Sequence, residues 1–595
     1  MPSSLKLTHA LVDTAMGRVP ADLVIRNGQW VSVQSGEIIP STDIAVKDGH
    51  IAYVGEDASH TIGKKTRVID AQDRYLVPGL LDGHMHVESG MVTVTEFVRA
   101  VAVHGTTGMF IDPHEIANVF GLKGVKLMVD EAQKQPIHVW VQMPSCVPSA
   151  PGLETPGAHI GPKEVAKAME WKGIIGLGEM MNFPGVFMGD NNMLEEMSIT
   201  HTHNKTIGGH YASPDLGIPF HGYVAGGAED DHEGTRVEDA VARVRQGMKA
   251  MLRYGSAWFD VESQVKAITE KKLDPRHFLL CTDDSHAETL SHDGHMDRVL
   301  RHAIEQGLEP MTAIQMMTIN TAEHFGVSRE MGMIAPGRWA DVVLATDLKN
   351  FKADVVIAKG NVLAESGEWK VNLPKATYPA WAKNSVRLKR RLKAQDFKLQ
   401  VKAEKSKVKA NVIGVIENHV GTRHLTFDLQ PENGEIKADL ARDLAKVALV
   451  ERHKGTGAIT IGLVSGFGIT SKCAIASTVA HDSHHMIVVG TDDESMAVAG
   501  NTLARTGGGQ VVVRGGEVVG LVELKIAGLM SAERTEIVAH KAESISNGFK
   551  MCGCELNNPN MQLAFLALVV IPELRISDKG LVDVTQFKFI PVLEG

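Results

Sequence analysis

VPGLLDGHMHVESG, residues 77–90, is the stretch on which the fold turns. An extended strand sends alternate side chains to one face, so His84 and His86 point the same way while Met85 turns opposite. Two imidazoles on one face can converge on a single ion, and Gly79 and Gly83 let the backbone pack closely beside them. An HxH pair on its own is common. This pair closes an apolar strand that opens an alternating α/β run, and that position makes it a metal-ligand pair.

Downstream, short apolar runs such as GMFID, IHVWVQM, GIIGLGEM and FLLCTDD alternate with segments that read as helices, among them VEDAVARVRQGMKAMLRYG and MDRVLRHAIEQGLEPMTAIQMM. Such alternation marks a parallel α/β domain. Residues 81–334 have the size of a (β/α)₈ TIM-like barrel, and their runs end in His, Asp or Glu, which suits the face of a barrel where active sites assemble. A doubly wound open sheet is the competing reading.

On either side of this insert the grammar changes. Residues 22–77 hold LVIRNGQWVSV, DIAVKDGHIAYVG and TRVIDAQDRYLV, punctuated by Asn-Gly, Asp-Gly and Gly turns, and the same style returns at residues 341–369. We therefore expect a β-sandwich domain split between residues 1–80 and 335–372, with the barrel inserted. A basic connector, residues 373–409, is read as a solvated link or edge strand. An α+β domain, residues 410–595, follows. Its Gly507-Gly508-Gly509 lacks the strand–GxGxxG–helix context and the lysine of a phosphate loop, so a tight turn is expected.

The chain has 595 residues, 44% hydrophobic and 22% charged, with a net charge of −10. Such a length implies several domains, and the acidic balance excludes a nucleic-acid binder, which needs a basic face. No apolar run is long enough for a membrane span and residues 1–20 contain no leader-like apolar core. Five scattered cysteines, Cys146, Cys281, Cys473, Cys552 and Cys554, suit free thiols in a reducing compartment, so a cytoplasmic protein with a small-molecule partner is expected.

A hydrolytic metal needs further ligands and an open position for water. Glu179 ends a run too apolar for an unpartnered carboxylate. His210, in IGGHYASPDLG, and His232, in GGAEDDHEG, lie in loops rich in Gly and Asp. Asp283 and Asp284 end the FLLCTDD strand on opposite faces, so one of them can reach the metal. Asp112, His114 and Glu115, in MFIDPHEIAN, are read as orienting ligands or contacting substrate, with Pro113 enforcing extended backbone before it. His201 and His203 repeat the HxH spacing on a polar helical stretch and are set aside.

Taken in order, PGLLDGHMHVES, DPHEIANVFG, GLGEMMNFPGV, DDHE, CTDDSH, TINTAEHFG and GMIAPGRWADVVL resemble the amidohydrolase superfamily. ASTVAHDSHHMIVVGTDD and AGLMS, near the C-terminus, narrow the resemblance to its adenine deaminases, over essentially the whole chain. The resemblance implies a binuclear centre: His84, His86 and Asp283 on one ion, His210 and His232 on the other, and Glu179 bridging where many relatives use a carbamylated lysine. Two divalent ions are implied, Mn before Fe or Zn, and a homodimer. His485 departs from the family's Asn after HDSH, and Lys525 stands where Pro is common; the role of residues 481–485 is left open.

The implied reaction is hydrolytic deamination of adenine to hypoxanthine and ammonia, a step of purine salvage. Two ions would lower a water's pKa from about 15.7 toward about 7. Asp283 would shuttle its proton to the departing amine, with Glu179 and His232 also catalytic and Glu179, Glu88 or Glu115 protonating the ring. The H-x-E…P-C-x-x-C deaminase design is excluded, because its cysteine half is missing. A cyclic-amide or other aminopurine or aminopyrimidine hydrolase with the same ligands, and a metal-free scaffold, are the alternatives.

Overall fold

A computed structural model describes residues 4–256, 258–401 and 406–594. Part of the basic connector, residues 402–405, lies outside them. Strand Tyr75–Pro78 pairs antiparallel with Val342–Ala345, Val342 opposite Pro78, so the chain leaves a sheet at residue 78 and returns to it after the insert. That sheet has nine strands, five from residues 23–78 and four from residues 342–369. Asp48-Gly49 turns between two of them. Asn27-Gly28, expected as a turn, instead lies inside strand Leu23–Ser32, where Asn27 takes a positive φ of 58° and the register with the neighbouring strand shifts. A bulge there absorbs the left-handed residue without ending the strand.

The insert is a ring of parallel strands. Leu80–His86, Thr106–Ile111, His138–Met143, Ile174–Met180 and Thr206–Gly209 follow one another side by side. Asp230–Asp231, Lys249–Arg253 and Phe278–Cys281 form the next three. The last continues into Asp283–Asp284, which pairs with the first strand, Asp283 opposite Met85. Glu229 N–H donates to Ile207 O at 2.9 Å, joining the fifth and sixth strands. One reading changes here. VEDAVARVRQGMKAMLRYG is not one helix: helix Val237–Arg245 stops before Gly247, at φ 88°, and the rest is the seventh barrel strand.

Residues 408–594 build a second nine-stranded sheet. Helix Asp493–Thr506 packs on one face, started by the Asp492 side chain accepting from Ser495 N–H and ended by Gly507 in the left-handed region. The triple glycine is thus a helix stop leading into strand Gly509–Arg514. Leu392 and Phe397 of the connector are buried beneath that helix, so this stretch is more than a solvated link. Helix Thr535–Cys552 and the other sheet face share one apolar core with the barrel, running from Met85 and Phe97 through Ile475 and Val512 to Phe549. Ser531 N–H donates to Met91 O at 2.8 Å, and Thr93 N–H to Ser531 O at 3.2 Å. The C-terminal region is thereby seated over the mouth of the barrel. The five cysteines are free and buried, and among the described residues no helix is long and apolar enough to cross a membrane.

Candidate active site at the barrel mouth

Asp82, His84 and His86 share the inward face of the first strand by its period of two. Asp82 accepts from Thr282 N–H (3.1 Å), Thr282 Oγ1 (2.5 Å) and His84 N–H (3.3 Å), and its Oδ2 lies 3.1 Å from His295 Nε2. It welds the first strand to the eighth and sets Asp283 across from the two histidines. Asp283 sits at φ 60°, an uncommon backbone state for a residue with a side chain. Its Oδ1 reaches 3.2 Å from His86 Nε2 and 3.9 Å from His84 Nε2. Arg253, at the end of the seventh strand, donates to Asp283 Oδ2 at 2.9 Å and also binds Glu233 and Asp260.

Glu179 ends the fourth strand and touches both halves of the cluster. Oε1 lies 3.4 Å from His86 Nε2 and 2.9 Å from His114 Nδ1, while Oε2 meets His210 Nδ1 and lies 3.1 Å from His232 Nε2. Asp112 orients two of these groups. Its carbonyl accepts from His86 Nδ1 at 2.8 Å, which turns Nε2 inward, and its Oδ2 accepts from Glu179 N–H at 2.8 Å. A Cβ on residue 178 would fall 2.2 Å from that carboxylate, so Gly178 is required for the approach. Tyr223 accepts from His210 N–H at 2.8 Å and donates to Met180 O at 3.1 Å, tying the fifth strand's end to the fourth.

The electrostatics are those of a cation site. Burial keeps His84 well below the imidazole range, helped by His232 stacked on it at 4.0 Å and by His86. Its Nε2 is buried and has no hydrogen-bond partner. Burial opposes charge on Glu179, yet His210, His114 and His232 hold it well below the carboxylate range. Burial also opposes charge on His210, which Glu233 and Glu179 push up to about 9. Among the trios whose donor atoms lie within 4.8 Å of one another are His84, His86 and Glu179; His84, His232 and Asp283; Glu179, His210 and His232; and, farther toward the roof, His114, His481 and Asp482. Neutral imidazoles and carboxylates sharing Glu179 fit divalent cations.

A cavity of about 500 Å³ opens above the cluster. Barrel residues floor it, and the C-terminal region roofs it with His419, Val420, Thr422, Phe565, Ile571 and Pro572. Two buried arginines hold this roof. Arg575 donates to Phe565 O and Val420 O at 2.6 Å, Ile571 O at 2.8 Å and Pro572 O at 3.3 Å. Arg452 donates to His484 O at 2.5 Å, Ser385 Oγ at 2.8 Å and Ala527 O at 3.1 Å, fixing the loop that carries residues 481–485. Burial lowers each guanidinium to about 9, so both stay charged at neutrality.

The amidohydrolase family model matches residues 75–363, and a model described as the adenine deaminase C-terminal domain matches residues 419–588. An adenine deaminase of Mesorhizobium japonicum is 62% identical over 98% of this chain and 96% of its own. Adenine deaminase 3 of Rhizobium meliloti is 60% identical over 99% of both, and that of Moorella thermoacetica 50% identical over 99% of this chain and 98% of its own. The chain belongs to the adenine deaminase family. Members of the amidohydrolase family use divalent metals, in keeping with the donor trios.

In this member of the family the structure gathers His84, His86, Glu179, His210, His232 and Asp283 at one point. Asp112, His114 and Glu115 pack behind or beside them, Glu115 Oε2 lying 3.9 Å from His86 Nδ1. Asp284 faces the cavity wall, binding Ser89 Oγ and accepting from Trp258 Nε1 at 3.1 Å. Glu88 is buried just outside the main cavity and accepts from Ile116 N–H at 3.3 Å. His203 lies away from the cluster, 3.0 Å from the exposed Glu170. Sequence reading missed Asp82, Arg253, Glu233, Tyr223 and the roof. Asp82 was legible, since it stands two residues before His84 on the same face. Arg253 was hidden because its strand was read as helix.

Proposed function

We propose that this chain deaminates adenine hydrolytically to hypoxanthine and ammonia at the cluster around Glu179. Adenine deaminases as relatives over essentially the full length support the activity, and one observation carries the site: Glu179 reaches His86 with one oxygen and His210 and His232 with the other. His84, His86 and Asp283 would hold one ion, His210 and His232 a second, with Glu179 between them. When bound, the two ions lower the pKa of a water by several units and supply a nucleophile at neutral pH. Mn is the metal we favour, with Fe or Zn also suited to this donor set.

Asp283 is the group that takes the water's proton and returns it to the departing amine. Arg253 occupies its Oδ2 and leaves Oδ1 facing His84 and His86. His232 faces the same space and polarises the attack. Of the three acids considered for the ring nitrogen, Glu179 is engaged by four imidazoles and Glu88 lies outside the main cavity. Glu115 lines it with a free Oε2, so it is the donor we assign. Division of the chain at residues 80, 334, 372 and 409, a homodimer and a cytoplasmic setting complete the reading.

The test is ammonia release from protein stripped by chelator and reloaded with Mn, Fe or Zn. We expect two ions per chain and turnover of adenine. Ring opening of dihydropyrimidines or hydantoins without ammonia release from adenine would replace this reading with a cyclic-amide hydrolase.

A further inference from the structure

Asp482 is a buried polar group of the cavity that none of these roles uses. It is 1% exposed and lines the cavity from the roof side. Its Oδ2 has no hydrogen-bond partner. Oδ1 lies 3.6 Å from His481 Nδ1 and 3.7 Å from His114 Nε2, both beyond hydrogen-bond reach. Burial opposes its charge, yet His481 with His114, and Ser149, which donates to Glu154 at 2.9 Å, lie close enough to hold the carboxyl below its ordinary range, so the group is charged while Oδ2 stays open. A buried carboxylate oxygen without a donor is costly, so a donor to Oδ2 is expected when the site is in use.

The position of Asp482 says which donor. His114 stands between it and the reaction centre: Nδ1 is 2.9 Å from Glu179 Oε1 and Nε2 is 3.7 Å from Asp482 Oδ1. Glu179 and Asp482 are thus separated by the width of one five-membered ring plus its contacts. Adenine is a pyrimidine ring fused to an imidazole ring. Laid alongside His114 with C6 at Glu179, it brings its imidazole edge to Asp482. Flat and apolar walls stand around this space: Phe565 lies 5.7 Å from the His481 ring and 5.9 Å from Trp258, with Leu568 and Ile571 beside them. The loop bearing Asp482 is held rigid by Arg452 through His484 O.

We infer that Asp482, delivered by the C-terminal region, accepts the imidazole N–H of the purine and so selects the free base over N-substituted derivatives. The inference rests on the adenine reading above. A site built around one N–H rejects analogues lacking it, because the buried acceptor is then left unpaired. Adenine carries a single imidazole proton, on N7 or N9, so methylation at either position removes it.

The experiment compares equilibrium binding of purine and 9-methylpurine to metal-loaded wild type, Asp482→Asn and Asp482→Ala, alongside metal content and adenine turnover. Wild type should bind purine about 10- to 100-fold more tightly than 9-methylpurine, the range for a hydrogen bond to a charged group. Asp482→Ala should lose that preference, Asp482→Asn should keep part of it, and both should retain two ions per chain. Three results would overturn the inference: equal binding of both ligands by wild type, equal weakening of both in Asp482→Ala, or loss of an ion, which would make Asp482 a metal ligand with His114 and His481. Failure of wild type to release ammonia from adenine would sink the activity itself, a separate reading from the binding ratio.

Discussion

Replacing Arg575 with Met tests whether the roof is held by one side chain. Arg575 is 0% exposed and binds four carbonyls from three stretches of chain. In the variant Phe565 O keeps Leu568 N–H at 3.0 Å and Pro572 O keeps Thr422 N–H at 3.1 Å. Val420 O and Ile571 O are left without a partner among the described residues. Two orphaned half-buried carbonyls fall at the low end of about 1–3 kcal/mol each, so about 2 kcal/mol in total, and methionine fills much of the guanidinium's volume without its desolvation cost. At about 2–4 °C per kcal/mol for a domain of this region's size, the melting temperature should fall by about 6 °C. Since Val420, Phe565, Ile571 and Pro572 line the cavity, KM for adenine should rise more than kcat falls, with both metals retained. Arg575→Lys should recover part of the loss, because an ammonium donates three bonds without the planar fork. Melting within about 2 °C of wild type, together with an unchanged KM, would refute the reasoning.

Two other substitutions probe the barrel. Glu179→Gln should fold normally by circular dichroism, bind fewer than two ions, and lose more activity than the roughly 10–100-fold typical of an outer partner of a ligand; near-normal turnover would exclude Glu179 as the bridging group. Glu196, in helix Asn191–Thr202, is 0% exposed with neither oxygen bonded, and burial together with Asp190 and Glu164 pushes its carboxyl up to about 8. The folded protein therefore holds this proton to a higher pH than the unfolded chain, whose value is near 4.5. Stability is lost as pH rises through that window, by about 3 kcal/mol at pH 7, and Glu196→Gln should flatten the melting-temperature profile between pH 5 and 8. Parallel profiles for the two proteins would show that Glu196 titrates normally.

The split between what sequence pattern reveals and what it conceals follows the range of the interactions. His84, His86, Glu179 and Asp283 end short apolar strands, and the ends of such strands are visible in a window of ten residues. The seventh strand was concealed because KAMLR follows an amphipathic helix across a three-residue link, and the periodic signal of the helix ran into it; Arg253 went with it. The Asn27-Gly28 bulge was concealed because a left-handed pair reads the same in a turn and in a distorted strand.

The roof was invisible for a different reason. Arg575 meets Val420 155 residues away, and Thr155 N–H donates to Asp578 423 residues away at 2.8 Å. No local periodicity encodes such pairings. An arginine that binds only carbonyls has no acidic partner to betray it, and Asp482 looks like any loop aspartate until its unpartnered Oδ2 is seen in three dimensions. The half of the cavity that handles water is thus written in strand ends, while the half that faces the rest of the base is written in long-range contacts. That division is why HxH, Glu and Asp suffice to read a metal hydrolase from this chain, whereas adenine required relatives sharing the C-terminal region. It also locates the next test of substrate choice in residues 416–422, 481–482 and 565–573 rather than around the metals.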